Sequence, residues 1–134
     1  DKKLQTIAVI DFEANGFTES EAKVIANRTS SVLTKMNRFT VLERSKMDEI
    51  LKEQGFQLSG CTSNECVVEV GQLLGVQLML AGTIGRFGDL NIIEMRIIDV
   101  ETSKIVRSAN FEISGAKELL LTQGVSTVLN ELVR

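Results

Sequence analysis

Apolar residues follow two different periods along the chain, and the two periods distinguish strands from helices. Residues 7–10 and 78–81 are uninterrupted apolar runs, as expected for strands that are covered on both faces. Ile93, Met95 and Ile97 alternate with polar residues instead, a pattern typical of a strand with one packed face and one partly exposed face. The chain is therefore expected to form a sheet that packs on both sides.

Helices are indicated by apolar residues three and four positions apart and by residues that cap helix ends. Thr18 and Glu21 have the spacing of a capping box. The same pattern recurs at residues 62–65 and predicts that Thr62 caps the third helix, while Ser45 is placed to cap the second. The expected elements are a strand over 4–12, a helix from 18 to 37, a strand over 39–44, helices over 45–55 and 62–75, strands over 76–87, 91–100 and 105–113, and a last helix.

The order β-α-β-α-α-β-β-β-α predicts the fold class α/β (α+β), with a single mixed sheet flanked by helices. Its alternating first half implies parallel crossover connections, and its last three strands form an antiparallel meander. Strands 4–12 and 76–86 are expected in the middle of this sheet. No linker or repeat interrupts the pattern, so residues 1–134 should form one domain. The stripe expected to face the sheet from the last helix is Leu121, Val125, Val128, Leu129 and Leu132.

Composition narrows the range of functions. The chain has no histidine, which excludes Ser-His-Asp and Cys-His nucleophile systems and nearly all catalytic zinc sites. The net charge is −3 with scattered basic residues and few aromatic ones, a composition unsuited to nucleic-acid binding. No segment approaches the roughly 18 consecutive apolar residues of a membrane helix. We therefore expect no catalytic residue, cofactor, metal ion, nucleic-acid partner or membrane span.

Cys61 and Cys66 form the first candidate site. Their C-x4-C spacing is wider than the C-x-x-C redox motif and lacks the second ligand pair of a zinc site. Three interpretations stay open: a structural disulfide, a reactive thiol pair at a helix start, and a buried Cys66 with an incidental Cys61. We predict the disulfide. It would hold the loop at residues 56–60, with Phe56 and Leu58 exposed, as a preformed docking surface.

Two further patterns have both a functional and a structural interpretation. Asp11 and Glu13 lie at the carboxyl end of the first strand, where open α/β sheets bind ligands. Because spacing indicates no third charged partner, we expect a solvated strand end where Asp11 satisfies nearby backbone donors. Gly82, Gly85 and Gly88 match neither a dinucleotide fingerprint nor a P-loop, and strand curvature with a hairpin turn explains them.

Five short segments, taken in order, resemble a known family. They are IAVIDF at 7–12, RFTVLER at 38–44, LGV at 74–76, GTIG at 82–85 and IDVET at 98–102. This combination resembles the soluble domain shared by the curli secretion-channel protein CsgG, the amino-terminal domain of TolB, and the outer-membrane lipoprotein activators of penicillin-binding proteins. The resemblance covers nearly the whole chain.

The resemblance implies a periplasmic or outer-membrane-associated location in a bacterium, and binding rather than catalysis. Such a location implies that a targeting segment has been removed ahead of Asp1. The leading hypothesis is a non-catalytic envelope domain that binds a protein partner, either assembling with itself as a homo-oligomer or regulating a cell-wall or secretion machine. The alternatives are the periplasmic ring domain of a curli-type secretion channel and a thiol oxidoreductase that uses Cys61 and Cys66.

Overall fold

Six strands form one mixed sheet in the computed structural model, which describes residues 3–58 and 61–134. The strands are β1 (Thr6–Val9), β2 (Glu13–Asn15), β3 (Thr40–Val41), β4 (Leu78–Phe87), β5 (Leu90–Asp99) and β6 (Ile105–Ser114). The helices are α1 (Glu19–Lys35), α2 (Arg44–Glu53), α3 (Asn64–Leu74), a π-helical turn (Leu120–Gly124) and α4 (Val125–Leu132).

The strand order in the sheet is β3-β1-β4-β5-β6. β1 pairs in parallel with β3 and β4, whereas β4, β5 and β6 form an antiparallel meander. The short β2 extends the parallel pairing along β4 beyond the end of β1. The predicted fold class, element order and interior positions of β1 and β4 are therefore confirmed.

The apolar run in β1 serves two separate cores, one on each face of the sheet. Ile7 and Val9 belong to the core that α1 and α4 cover, whereas Ala8 and Ile10 belong to the core under α2 and α3. All four side chains are at most 2% exposed. Successive strand residues point to opposite faces, so a continuous apolar run is what a doubly covered strand requires.

The first strand is broken, although the sequence predicts it as one strand over 4–12. Val9 pairs with Leu80 and Glu13 pairs with Thr83. An advance of four residues from Val9 to Glu13 therefore matches an advance of only three residues along β4. One residue is therefore extra, and the chain departs from regular strand geometry between β1 and β2. The break places Asp11 at the carboxyl end of the parallel strands.

One of the three predicted helix caps is confirmed, and the other two are wrong by one and two positions. Thr18 and Glu21 form the complete capping box at the start of α1. Ser63 rather than Thr62 caps α3, because its hydroxyl accepts the Cys66 N–H at 3.1 Å. Helix α2 begins at Arg44, preceded by Glu43, and no side chain makes a cap hydrogen bond, so Ser45 is not the cap.

The last helix is preceded by a π-helical turn, which the sequence does not predict. The Val125 N–H bonds to the Leu120 carbonyl five residues earlier, which defines a π-helical turn. The π-helical turn contains one more residue than an α-helical turn and so changes the helical phase of the residues before α4. Leu120 is fully buried there, and Leu121 is half-buried. Leu121 packs against the same core but is less buried than the rest of its predicted stripe, whereas Val125, Val128, Leu129 and Leu132 are buried as expected.

Gly82 permits a close approach inside the sheet. A Cβ atom there would lie 2.5 Å from both the Glu94 carbonyl oxygen and the Phe12 ring. We expect Gly82→Ala to lower the free energy of unfolding by roughly 1–3 kcal/mol, because a backbone atom cannot move aside cheaply. Gly85→Ala is the matched control in the same strand, since its nearest atom would be 3.9 Å away. Chemical denaturation would measure both, and equal losses would contradict the steric explanation.

Candidate functional site

The strand order changes direction at β1, and such a point usually opens a crevice. The chain leaves β1 through α1 to reach β3 on one side, then returns through α2 and α3 to β4 on the other. In open α/β sheets, ligands bind outside the carboxyl ends of the strands at this position. A groove of about 390 Å³ lies there, lined by Ile10, Asp11, Phe12, Glu13, Ala14, Phe17, Glu19, Ala22, Lys23, Leu58, Cys61 and Thr62. We call it the carboxyl-end groove.

The guanidinium of Arg44 organises the wall behind this groove. Its Nη1 donates to the Val9 carbonyl at 2.7 Å, its Nε donates to the Asn27 side chain at 2.8 Å, and its Nη2 donates to the Asp11 carboxylate. The Leu42 N–H bonds to the Ile7 carbonyl, so the next ladder donor would be the backbone of Arg44. The chain has turned into α2 there, and the side chain supplies the missing donor.

Asp11 carries the compensating negative charge. It pairs with Arg44 and also with Lys23, whose Nζ lies 3.0 Å from Oδ2. Burial by itself raises the pKa of Asp11, but the hydrogen bonds and positive charges of Arg44 and Lys23 outweigh burial and hold the pKa below its ordinary value of 3.8. Asp11 therefore stays ionised near neutral pH. It satisfies side-chain donors, not the backbone donors that the sequence analysis assigned to it.

The other wall of the groove comes from the cysteine loop. The structure joins Cys61 to Cys66 with their Cα atoms 5.5 Å apart, inside the range that a disulfide needs. Cys66 is the third residue of α3, and the Cys61 N–H bonds to the Leu58 carbonyl at 2.9 Å. The bridge thus ties the groove wall to a helix start. Ser59 and Gly60 of the proposed docking loop lie outside the described residues.

Phe56 and Leu58 are half-buried against the core under α2 and α3, so the prediction that both are exposed is wrong. Helix α2 ends in a Schellman motif, in which the Phe56 N–H bonds to Leu51 and the Gly55 N–H to Lys52. Gly55 has a φ of +66°, which this motif requires. The motif folds Phe56 back onto the core, whereas Leu58 also lines the groove.

The exposed rim of the groove is acidic. Glu13 and Glu19 are exposed, and neither has a cationic side chain within 4 Å among residues 3–58 and 61–134. Phe17 and Leu58 contribute half-buried apolar surface beside them. Glu13 was predicted from the sequence as a candidate site residue, whereas Phe17, Glu19 and the role of Arg44 were not. Only the family segment that contains Arg44 could have indicated it.

Metal binding and thiol exchange are the two kinds of chemistry against which the groove residues can be compared. No group of three or more Cys, Asp or Glu side chains in the described ranges could hold a metal ion. In the disulfide, Cys61 is nearly buried and Cys66 is half-buried, so Cys66 is the more accessible of the two to an attacking thiol. No helix within the described ranges is long and apolar enough to cross a membrane.

The family model described as "Curli production assembly/transport component CsgG" matches residues 5–92, well over half of the chain. The chain belongs to this family. The resemblance drawn from the short segments is thereby confirmed. No curated protein sequence matches the chain.

Solved structures share the fold at low identity. The LpoB C-terminal domain from Escherichia coli has 13% identity and a TM-score of 0.68, over 83% of each chain. Lipoprotein GNA1162 from Neisseria meningitidis has 17% identity and a TM-score of 0.68, over 95% of this chain and 96% of that one. The PelC dodecamer from Paraburkholderia phytofirmans has 14% identity and a TM-score of 0.58, over 96% and 85%.

Asp11 should give stability a specific pH dependence. Its pKa in the folded protein is lowered, so its contribution is complete above the ordinary value of 3.8 and is lost as pH falls through the folded pKa. We expect Asp11→Asn to cost roughly 1–3 kcal/mol at neutral pH, because Arg44 loses its charged partner, and to flatten the acid limb of the stability profile. Denaturation from pH 2 to 7 measures this, with exposed Asp48→Asn as control. An unchanged acid limb contradicts it.

The redox state of the cysteines is a separate prediction. We expect Cys61 and Cys66 to be bonded in protein taken from an oxidising compartment, where such bonds persist. Thiol titration of the denatured protein should then find no free thiol, whereas two per chain would end the hypothesis. Because the closed loop is short, replacing both cysteines by serine should cost only about 2 kcal/mol.

Proposed function

We propose that this chain is a non-catalytic protein-interaction domain of the bacterial envelope, which binds a segment of a protein partner in the carboxyl-end groove. The observation that carries the proposal is the combination of a groove at the switch point with a wall cross-linked through Cys61 and Cys66. A wall ordered before binding lowers the entropy cost of docking a partner.

The chemistry of the groove supports binding rather than turnover. Its most buried carboxylate, Asp11, is held ionised by two cations and is engaged on both oxygens. The chain contains no histidine that could activate a nucleophile or shuttle a proton near neutral pH. What is left at the surface is half-buried apolar area and the two exposed carboxylates of Glu13 and Glu19.

Family membership and the cysteine pair support an envelope location. The family is that of a curli production assembly and transport component, and the lipoprotein GNA1162 has the same fold. A disulfide at Cys61 and Cys66 fits an oxidising compartment such as the periplasm. We therefore place this domain in the periplasm or at the outer membrane.

The groove indicates the chemistry of the partner segment. Phe17 and Leu58 suit an apolar anchor, and the unpaired carboxylates of Glu13 and Glu19 suit a lysine or arginine beside it. Complementary charges of this kind govern association and the choice of partner. The expected ligand is a peptide segment with one apolar side chain next to a basic one.

Site-specific photocrosslinking in the bacterium tests this proposal. A photoreactive residue in place of Leu58 should give a protein adduct, whereas the same residue in place of Lys35, at the far end of α1, should not. Glu13→Lys should reduce the adduct about tenfold, because like charges then meet at the rim. Glu53→Lys makes the same charge change on the exposed face of α2 and should leave the adduct unchanged.

The mass of the adduct distinguishes the two partner classes. Self-assembly is the second candidate, favoured by the fold shared with the PelC dodecamer and by β6, an edge strand with one side free in the described sheet. An adduct of two copies of this chain would support it. No adduct at Leu58, or equal effects of Glu13→Lys and Glu53→Lys, would contradict binding in the groove.

A further inference from the structure

A second cavity, of about 660 Å³, opens at the opposite end of the sheet, where β1 begins and β5 ends. Arg38 and Phe39 line it from the loop before β3, and Val106 and Arg107 line it from β6. We call it the basal cavity. It shares no residue with the carboxyl-end groove, so an inference about it is independent of the function proposed there.

Two guanidinium groups in the basal cavity keep their positive charge unpaired. Arg38 Nη1 donates to the Val133 carbonyl at 2.9 Å, and Arg107 Nη1 donates to the Leu132 and Arg134 carbonyls at 3.3 and 3.2 Å. Within the described ranges, neither has a side-chain carboxylate within 4 Å. The end of α4 thus orients both groups through main-chain oxygens, and no side-chain carboxylate in the described ranges pairs with them.

Most donors of these two arginines are still available. A guanidinium carries five N–H donors, and each arginine uses only Nη1 in the described part of the chain. One carboxylate, that of Asp99, also lines the cavity, and its Oδ1 accepts the Thr102 N–H at 3.0 Å. The cavity therefore has a net positive charge in a chain whose net charge is −3.

A bulge in β6 brings a cationic and an apolar side chain into the cavity together. Ile97 pairs with Arg107 and Ile98 pairs with Ile105, so Val106 is the extra residue. In a regular strand, Val106 and Arg107 would point to opposite faces, yet both line the basal cavity with Ile97. Bulges commonly re-aim side chains beside functional sites.

We propose that the basal cavity binds an anionic amphiphile. Its carboxylate or phosphate group would be held by the free donors of Arg38 and Arg107, whose planar forks match either oxyanion. Its apolar chain packs against Val106, which is 52% exposed, and half-buried Phe39. Capping of α4 explains the Nη1 contacts, but it does not require the bulge or an open cavity of this size.

Ligand titrations followed by amide NMR test the proposal, with hexanoate, hexyl phosphate, acetate and inorganic phosphate as probes. We expect saturable shifts at Phe39, Val106 and Arg107, and binding of the two hexyl ligands at least about tenfold tighter than that of acetate and inorganic phosphate. The tighter hexyl ligand identifies the preferred head group. The absence of saturable shifts, or equal affinity for hexanoate and acetate, would overturn the proposal.

Variants locate the site. Arg38→Gln and Arg107→Gln should each weaken hexyl ligand binding about tenfold or more, because each removes charge-assisted hydrogen bonds. Arg28→Gln, on the exposed face of α1, makes the same charge change and should have no effect. Because the first two variants also loosen the end of α4, Val106→Glu provides a second test that leaves those contacts intact. It should abolish binding, and unchanged binding in Val106→Glu or equal weakening in Arg28→Gln would contradict the site.

Discussion

The contact between Arg44 and the end of β1 is the interaction on which the carboxyl end of the parallel strands depends. The Arg44 side chain is only 14% exposed, so its charge needs a partner, and Asp11 provides one. The same guanidinium donates to the Val9 carbonyl, where a backbone N–H would otherwise continue the ladder. It also donates to the Asn27 side chain and so links β1 to α1. One side chain therefore closes the β1–β3 ladder, begins α2 and holds Asp11 at the strand end.

The position of the groove follows from that contact. With Asp11 held toward Arg44, the chain gains one residue between β1 and β2 before pairing resumes at Glu13. The extra residue lies between β1 and β2, where the carboxylate of Asp11 is paired behind the groove and that of Glu13 is exposed at its rim. The cysteine bridge then sets the opposite wall, and Arg96 of β5 supports it by donating to the Asn64 side chain at 3.0 Å.

What the sequence predicts well is what short-range physics decides. The apolar runs of β1 and β4 identify interior strands because alternation sends every second residue to each face. The capping box of Thr18 and Glu21 is found because both of its hydrogen bonds join residues three apart. These signals suffice for the fold class, the element order and the positions of both cores.

The errors arise where a long-range contact or an unusual turn decides the structure. Thr62 and Ser63 both carry a hydroxyl, and spacing alone does not select which one caps α3. Nothing in the sequence marks the π-helical turn at residues 120–124, and full burial of Leu120 was not predicted. Phe56 was expected to be exposed in a loop. Its partial burial depends on a Schellman motif and on packing against distant elements, which the local sequence does not reveal.

The arginines at the two ends of the sheet differ in their partners. Arg44 pairs with a side-chain carboxylate, whereas Arg38 and Arg107 do not in the described part of the chain. At the carboxyl end, Arg44 is matched by a carboxylate and has little left to offer a ligand. At the amino end, Arg38 and Arg107 donate to main-chain oxygens at the end of α4, and in the described part of the chain most of their donors stay unused. A ligand that buries an unpaired guanidinium removes its hydration, which is unfavourable unless the ligand also supplies an anionic group. That requirement is the physical basis of the anionic ligand proposed for the amino end, whereas the exposed carboxylates of the carboxyl-end groove favour the basic segment proposed there.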